Sequence, residues 1–215
     1  MAEERIVLLD WDVSPFAARV RIALREKGLE YETKEEDLSN KSPLLLQMNP
    51  VKKQVPVLIH NGKPICESII IVQYIDEVWD HKSPLLPSDP HHKASARFWA
   101  DCVDKKIYPL ARRFWSSEGA DEGSIKELID NFKIFEQELG DKPYFGGQNL
   151  GLVDLTLLPY WSFFPTFEKI GGLSMEAECP KIEAWANRCI QEKESVSKSL
   201  CDPNRVYEAI SGIRK

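Results

Sequence analysis

Three short segments near the start of the chain carry residue types that could together bind a small thiol peptide: Ser14-Pro15-Phe16, Val55-Pro56-Val57 and Glu67-Ser68. Serine followed by proline is typical of a helix start, and Glu67-Ser68 resembles a second one. Helix N-termini stabilise anions. The hydroxyl at one helix start could therefore stabilise a thiolate, while the carboxylate-hydroxyl pair binds a charged peptide end.

A serine at a helix start suits chemistry that uses a bound thiolate. The thiolate is the nucleophile, and a free thiol titrates near pH ~8.5. A helix N-terminus lowers that pKa, so more thiolate is present at neutral pH. Ser14 alone would be an ordinary N-cap, and only its combination with Val55-Pro56 and Glu67-Ser68 favours catalysis. Serine rather than cysteine at position 14 favours conjugation over disulfide exchange.

Composition excludes several other functions. The formal net charge of −6 divides equally between residues 1–82 and the remainder, so neither half is a basic nucleic-acid-binding module. Five scattered cysteines without a CxxC motif argue against a disulfide framework or a zinc site and fit a reducing compartment. The acidic N-terminal sequence is unlike a signal peptide, and no apolar run approaches the ~20 residues that span a bilayer. We expect a soluble cytoplasmic protein with no metal, no membrane partner and no nucleic acid.

Strand and helix patterns alternate through the first part of the chain. Asn61-Gly62 is a strong hairpin signal between two short strands. The predicted order is βαβαββα. Strands are expected over 5–10, 31–35, 57–60 and 63–66, and helices over 15–27, 43–47 and 67–79.

A proline-rich segment separates this part from a helical remainder. Residues 83–90 contain three prolines, which indicates a linker. Beyond it, apolar residues recur at helical spacing, with a kink expected at Pro109 and a helix cap at Asp154. The sequence therefore predicts an α/β domain over 1–82 and an all-α domain over 91–215.

Ordered segments along essentially the whole chain resemble the glutathione transferases, most specifically the plant tau class. The resemblance implies a thioredoxin-like glutathione-binding domain, a helical domain that contributes the electrophile-binding site, and a cytosolic homodimer. Glutathione would be a co-substrate, with no bound cofactor. The matching segments are SPFAARVRIALREKGLEYE, KSPLLLQMNPVKKQVPVLIHNGKPICESIIIVQYIDEVW, LLPSDP, ARFWADCVDKKIYP and GLVDLTLLP.

The resemblance assigns roles around the sulfur of glutathione. Ser14 corresponds to the catalytic serine, whose hydroxyl donates a hydrogen bond to the sulfur. Val55 corresponds to the residue whose backbone pairs with the cysteinyl unit like an added strand. Pro56 corresponds to the cis-proline of the family.

The ends of the tripeptide are assigned in the same way. Glu67 and Ser68 correspond to the pair that binds the γ-glutamyl end, and Lys41 corresponds to a lysine that contacts the glycyl carboxylate. Gln54 departs from the family pattern, because tau members usually carry a lysine there. A neutral donor in place of a charged one costs about 1 kcal/mol, so we expect weakened glutathione binding.

The electrophile is expected between the two domains. Phe16 corresponds to one wall of that site and Tyr108, Arg112 and Trp115 to the other, with Trp161 as a weaker candidate. Aromatic walls with one arginine suit apolar electrophiles that carry a polar or anionic group. Tyr108 and Trp115 could instead be core residues, and Arg112 could form a surface ion pair.

The main functional interpretation is conjugation of reduced glutathione to small hydrophobic electrophiles in detoxification and stress response, with peroxidase activity on organic hydroperoxides as a further activity. Thiol transfer is disfavoured by the serine at position 14. The alternatives are a carrier that binds small hydrophobic ligands on the same fold without turnover, and a catalytically silent interaction module.

Overall fold

The chain divides into two compact units, Met1–Leu85 and Leu86–Lys215. The computed structural model describes residues 4–80, 82–116 and 122–213. Its elements follow the predicted order βαβαββα and then become helical, so the α/β plus all-α prediction is confirmed. Within the described ranges, no helix combines the length and hydropathy needed to cross a membrane.

The first unit contains a four-stranded sheet with strand order β2-β1-β3-β4. The strand β1 runs parallel to β2 and antiparallel to β3, and the β3–β4 hairpin turns at Asn61 and Gly62, both at positive φ. Gly62, at φ +82°, fits a turn conformation that L-residues with side chains rarely adopt. The elements are β1 Ile6–Asp10, α1 Pro15–Glu26, β2 Glu32–Glu35, α2 Pro43–Met48, β3 Val57–His60, β4 Lys63–Cys66 and α3 Ser68–Val78.

The register of the sheet brings several loops to one edge. Leu9 of β1 pairs with Val57 of β3, and Val57 pairs with Cys66 of β4. The last residue of β1, Asp10, pairs with the last residue of β2, Glu35. The segments that follow β1, β2 and β4, and the segment that precedes β3, therefore lie at the same edge.

Buried ion pairs hold α1 in place. Arg21 Nη1 donates to Asp10 Oδ1 at 2.6 Å, and both side chains are almost fully buried. Lys27, fully buried, donates to Asp76 of α3 at 2.7 Å. The same Asp76 oxygen accepts the backbone N–H of Leu85 at 2.8 Å, which fastens the end of this unit to α3.

Only one face of α3 is buried. The buried residues Ser68, Ile71, Val72 and Ile75 follow helical spacing. Other apolar residues of the predicted apolar helix are exposed, since Ile70 is 55% and Val78 41% accessible.

The second unit begins with a long helical segment that contains an irregular turn. Helix α4, Pro90–Cys102, passes through a π-helical turn, Val103–Ile107, into α5, Tyr108–Ser116. The irregularity therefore precedes Pro109 rather than falling on it. Because a proline ring clashes with the carbonyl four residues earlier, a wider turn before it relieves the clash.

Seven further helices and one 3₁₀ segment complete the described part of the second unit. They are α6 Glu122–Leu139, α7 Leu152–Leu157, the 3₁₀ segment Leu158–Phe163, α8 Phe164–Gly171, α9 Met175–Glu178, α10 Pro180–Glu192, α11 Glu194–Ser197 and α12 Pro203–Ile213.

Asp154 is the polar centre of this unit. Its side chain is fully buried and accepts four hydrogen bonds of 2.8–2.9 Å, from the backbone N–H groups of Phe145, Gly146 and Gly151 and the indole N–H of Trp185. One carboxylate therefore caps α7, fixes the turn before it and anchors α10. The predicted cap at Asp154 is confirmed.

We expect Asp154→Asn to destabilise the protein strongly. The side-chain NH₂ group of asparagine would face N–H groups that donate to the carboxylate in the native protein. Those N–H groups would lose their acceptor, and each buried donor left unsatisfied costs ~1–3 kcal/mol. Urea unfolding followed by tryptophan fluorescence measures the change in the free energy of unfolding. Asp141→Asn, at a fully exposed side chain, is the matched control and should have almost no effect. Equal effects of the two substitutions would contradict the assigned role.

Candidate functional site

Ser14 is the N-cap residue of α1 and is 4% exposed. It lies in the segment that follows β1. Its Oγ accepts the backbone N–H of Ala17 at 3.2 Å, and Pro15 occupies the first helical position. Because this oxygen already accepts a hydrogen bond, the hydroxyl proton can be donated to a ligand. The predicted helix start is confirmed. The Ser14 hydroxyl and the positive end of the helix dipole lie together there.

The segment before β3 is held by the side chain of Asn49. Its Nδ2 donates to the backbone oxygen of Gln54 at 2.9 Å, and its Oδ1 accepts the N–H of Lys52 at 3.2 Å. The Val55-Pro56 peptide bond is cis, as the resemblance implied. Val55 is half-buried, whereas the side chain of Gln54 is exposed.

The Glu67-Ser68 segment starts α3, but not through a side-chain cap. Glu67 is the N-cap residue without a capping bond from its carboxylate, and its backbone has φ +72°. Such a conformation costs a non-glycine residue ~1–3 kcal/mol and is typical of ligand-binding sites. The carboxylate instead lies 2.8 Å from Lys52 Nζ in a half-exposed ion pair.

Arg19 joins the two helix starts, and sequence reasoning missed it. Its side chain is fully buried in α1, and Nη1 donates to Ser68 Oγ at 3.1 Å. The guanidinium carbon also lies 4.7 Å from the ring centroid of Phe16. One signal was available, because position 19 shares the apolar face of α1 with Ile22 and Ala23 and a charge there needs a buried partner.

Arg19 also prepares Ser68 to donate. Since Ser68 Oγ accepts from a cation, its proton is free to point towards an anionic group at the start of α3. The side chains of Ser14 and Ser68 therefore offer two hydroxyl donors. The oxygen of each hydroxyl accepts a hydrogen bond from a group of α1, which orients the hydroxyl.

The remaining residues that the sequence predicted for the site are divided between the two units. Lys41 is half-buried in the segment that follows β2 and precedes α2. In the second unit, Tyr108 and Trp161 are half-buried and Arg112 is exposed. The side chain of Trp115 lies outside the described residues.

The two-unit architecture matches one protein family over most of its length. Models of the glutathione S-transferase N-terminal and C-terminal domains match residues 4–77 and 98–193. The chain belongs to the glutathione S-transferase family. Glutathione S-transferase U19 of Arabidopsis thaliana is 56% identical over 216 residues, covering 100% of this chain and 98% of that protein. The probable glutathione S-transferase parA of Nicotiana tabacum is 57% identical, covering 96% and 94%.

Solved structures agree with this family. A rice glutathione transferase in complex with glutathione has a TM-score of 0.93 at 42% identity, covering 100% of this chain and 98% of that one. A tau class glutathione S-transferase from mango has a TM-score of 0.90 at 37% identity, covering 97% and 98%. The predicted family, its tau class and the thioredoxin-like first domain are confirmed.

Cys66 lies directly before the Glu67-Ser68 segment, in surroundings that disfavour its thiolate. Its thiol is half-buried against the cluster around Val57, and Sγ contacts the backbone oxygen of Met48 at 3.7 Å. Burial, helped by the neighbouring Glu67, raises the pKa of the Cys66 thiol. Burial also raises the pKa of Cys102 and takes that of Cys179 to about 12.

We expect these thiols to react slowly in the folded protein. A raised pKa means less thiolate at a given pH, so alkylation at pH 8 should be slower than in the urea-unfolded chain, and the folded rate should keep rising above pH 9. Iodoacetamide labelling with mass spectrometry of each cysteine peptide measures both rates. Rapid labelling of Cys66 at pH 7 in the folded protein would contradict this assignment.

Proposed function

We propose that the protein conjugates reduced glutathione to small hydrophobic electrophiles, with Ser14 as the catalytic serine. The observation that carries the proposal is the Ser14 hydroxyl at the N-terminus of α1, whose oxygen accepts the N–H of Ala17 and whose proton can therefore be donated to a ligand. In the reaction the thiolate sulfur forms a bond to an electrophilic carbon, and a leaving group departs with the bonding electrons or the adduct takes up a proton. The reaction needs no metal.

Ser14 would act by keeping the sulfur ionised. The hydroxyl donates a hydrogen bond to the thiolate, and the partial positive charge at the helix start favours the anion. Both effects lower the pKa of the bound thiol towards neutral pH, so that more glutathione is reactive. The backbone of Val55 would pair with the cysteinyl unit and hold the sulfur at this position.

The γ-glutamyl end would bind at the start of α3. Its carboxylate would accept from Ser68 and the helix N-terminus, and its ammonium would bind Glu67. Since Lys52 pairs with Glu67, the ammonium has to share or replace that contact. Lys41 would bind the glycyl carboxylate, with Gln54 as a neutral neighbour.

The second unit would contribute side chains that bind the electrophile. The aromatic side chains of Tyr108, Trp115 and Trp161 suit apolar acceptors, and Arg112 suits a polar or anionic group on them. We propose the unit over 1–82 as the glutathione-binding domain, 83–90 as the linker and 91–215 as the electrophile-binding domain.

We also propose a cytoplasmic homodimer. Each unit carries large apolar side chains in solvent, since Val51 is 88% exposed and Ile70 55% in the first unit, and Phe98 is 59% exposed in the second. A second copy of the chain would cover such side chains.

Ser14→Ala is expected to lower kcat/KM for conjugation about 10- to 150-fold, because a hydrogen bond to a charged group contributes ~1.5–3 kcal/mol. Conjugation of a halonitrobenzene is followed by absorbance, and the pH profile should move to higher pH as the bound thiol loses its donor. Ser174→Ala removes an N-cap serine from α9 and is the matched control. A Ser14→Ala enzyme with full activity would remove the mechanism.

The same assays separate the enzyme from a carrier. Retention on a glutathione resin without conjugation of any acceptor would support non-catalytic ligand binding. Turnover of an organic hydroperoxide, in which two glutathione molecules are oxidised to the disulfide while the hydroperoxide becomes an alcohol and water, would add peroxidase activity.

Gln54→Lys is expected to lower the KM for glutathione about fivefold, since a charged donor replaces a neutral one at a gain of ~1 kcal/mol. The KM for the electrophile should stay the same, because that substrate does not meet this side chain. Lys53→Gln is the adjacent control. An unchanged KM for glutathione would show that position 54 does not contact the tripeptide.

Arg19→Lys is expected to raise the KM for glutathione about two- to tenfold with kcat nearly kept. Lysine keeps the positive charge but disturbs the hydrogen bond to Ser68, of ~0.5–1.5 kcal/mol, at an end of the substrate that does not react. Arg21→Lys, the other buried arginine of α1, controls for lost stability because its partner is Asp10. If both variants changed KM equally, the effect would come from α1 as a whole.

A further inference from the structure

A side-chain cluster at the start of α4 has the composition and spacing of a metal site. Asp89, His91 and His92 each offer one ligand atom, and these atoms lie within 4.8 Å of one another. We propose that these three residues bind a transition-metal ion such as Zn²⁺ or Cu²⁺. None of the three belongs to the proposed glutathione or electrophile site, and the site is independent of the conjugation chemistry.

One distance in the cluster matches the ligand spacing around a small divalent ion. His92 Nδ1 lies 3.3 Å from Asp89 Oδ1. A tetrahedral ion with bonds of ~2.0–2.1 Å places its ligand atoms ~3.3–3.4 Å apart. The Asp89–His92 distance therefore already matches one edge of the coordination polyhedron, and the His91 ligand atom lies within 4.8 Å of the other two.

The backbone organises the cluster before any ion binds. Asp89 is the N-cap of α4 and accepts the backbone N–H of His92 at 2.9 Å, while Pro90 fills the first helical position. The two imidazole rings lie edge to face with centroids 5.9 Å apart. Because all three ligands come from one helical turn, binding orders few additional torsion angles.

The charge balance favours a cation despite the helix start. The dipole of α4 opposes a cation there, but the Asp89 carboxylate supplies a full negative charge against a partial positive one. The side chains of His92 and Asp89 are 73% and 53% exposed, so the ion would keep water in its remaining positions and lose little hydration. Three protein ligands with open positions resemble an open rather than a closed zinc site, and we expect Cu²⁺ to bind more tightly than Zn²⁺.

The scattered cysteines that argued against a structural zinc site take no part in this one. Two adjacent imidazoles beside a carboxylate in one turn form an N/O donor set that Zn²⁺ and Cu²⁺ accept. Ligand binding to the folded state alone stabilises it, so the ion should also raise the melting temperature, by a similar increment for each tenfold rise in its concentration above Kd.

The test titrates ZnCl₂ into the untagged, reduced 215-residue chain by calorimetry and records the visible spectrum with CoCl₂. We expect one equivalent of Zn²⁺ in the micromolar range and cobalt bands of a nitrogen-oxygen site. His91→Gln/His92→Gln should weaken zinc binding at least tenfold. Asp89→Ser should weaken it while keeping the melting temperature of the metal-free protein, since serine preserves the N-cap.

Controls decide between this site and any other. His60→Gln, at a histidine bonded to Tyr74 and Glu4, should leave zinc binding unchanged. Equal binding by the wild type and the double histidine variant would overturn the proposal. So would binding that disappears only in Cys66→Ser/Cys102→Ser, or the absence of binding in the wild type. Conjugation of glutathione is assayed in parallel without added metal. This assay tests the proposed function independently of metal binding.

Discussion

Backbone hydrogen bonds hold Leu9, Val57 and Cys66 beside one another across three strands of the first unit. Ser14 follows the first of these strands, Val55 precedes the second and Glu67-Ser68 follows the third. Their distances along the chain are therefore irrelevant to their distances in space. A register slip of one residue would turn the buried side chains outward and separate the loops. The sheet register is thus the constraint on which the proposed glutathione site depends.

Two hydroxyl groups at helix starts have the same hydrogen-bonding arrangement. Ser14 accepts from the backbone of α1 and Ser68 accepts from Arg19, so each oxygen is occupied from the protein side and each proton is available to an anion. A donor that is already oriented needs no reorganisation when charge develops on a ligand. Arg19 connects the two positions, because it belongs to the helix that Ser14 starts and bonds the residue that starts α3.

Buried charged side chains have different kinds of hydrogen-bond partner in the two units. Lys27 and Arg21 each pair with a carboxylate and fix α1 on the sheet and on α3, since an unpaired charge there would be costly. Asp154 is held by four N–H donors; burial raises its pKa, and those bonds oppose the shift. Asp89 differs from all of these, because its carboxylate is exposed and remains able to bind an ion.

The sequence by itself determined the element order, the helix start at Ser14, the hairpin at Asn61-Gly62 and the cap at Asp154, because each depends on neighbouring residues. It also carried the family resemblance. Only the tertiary structure decided that Arg19 would contact Ser68 and that Lys52 would pair with Glu67, since these partners lie on different elements. It likewise decided which apolar residues of α3 are buried. Such contacts follow from how elements pack, and local propensity carries no information about that.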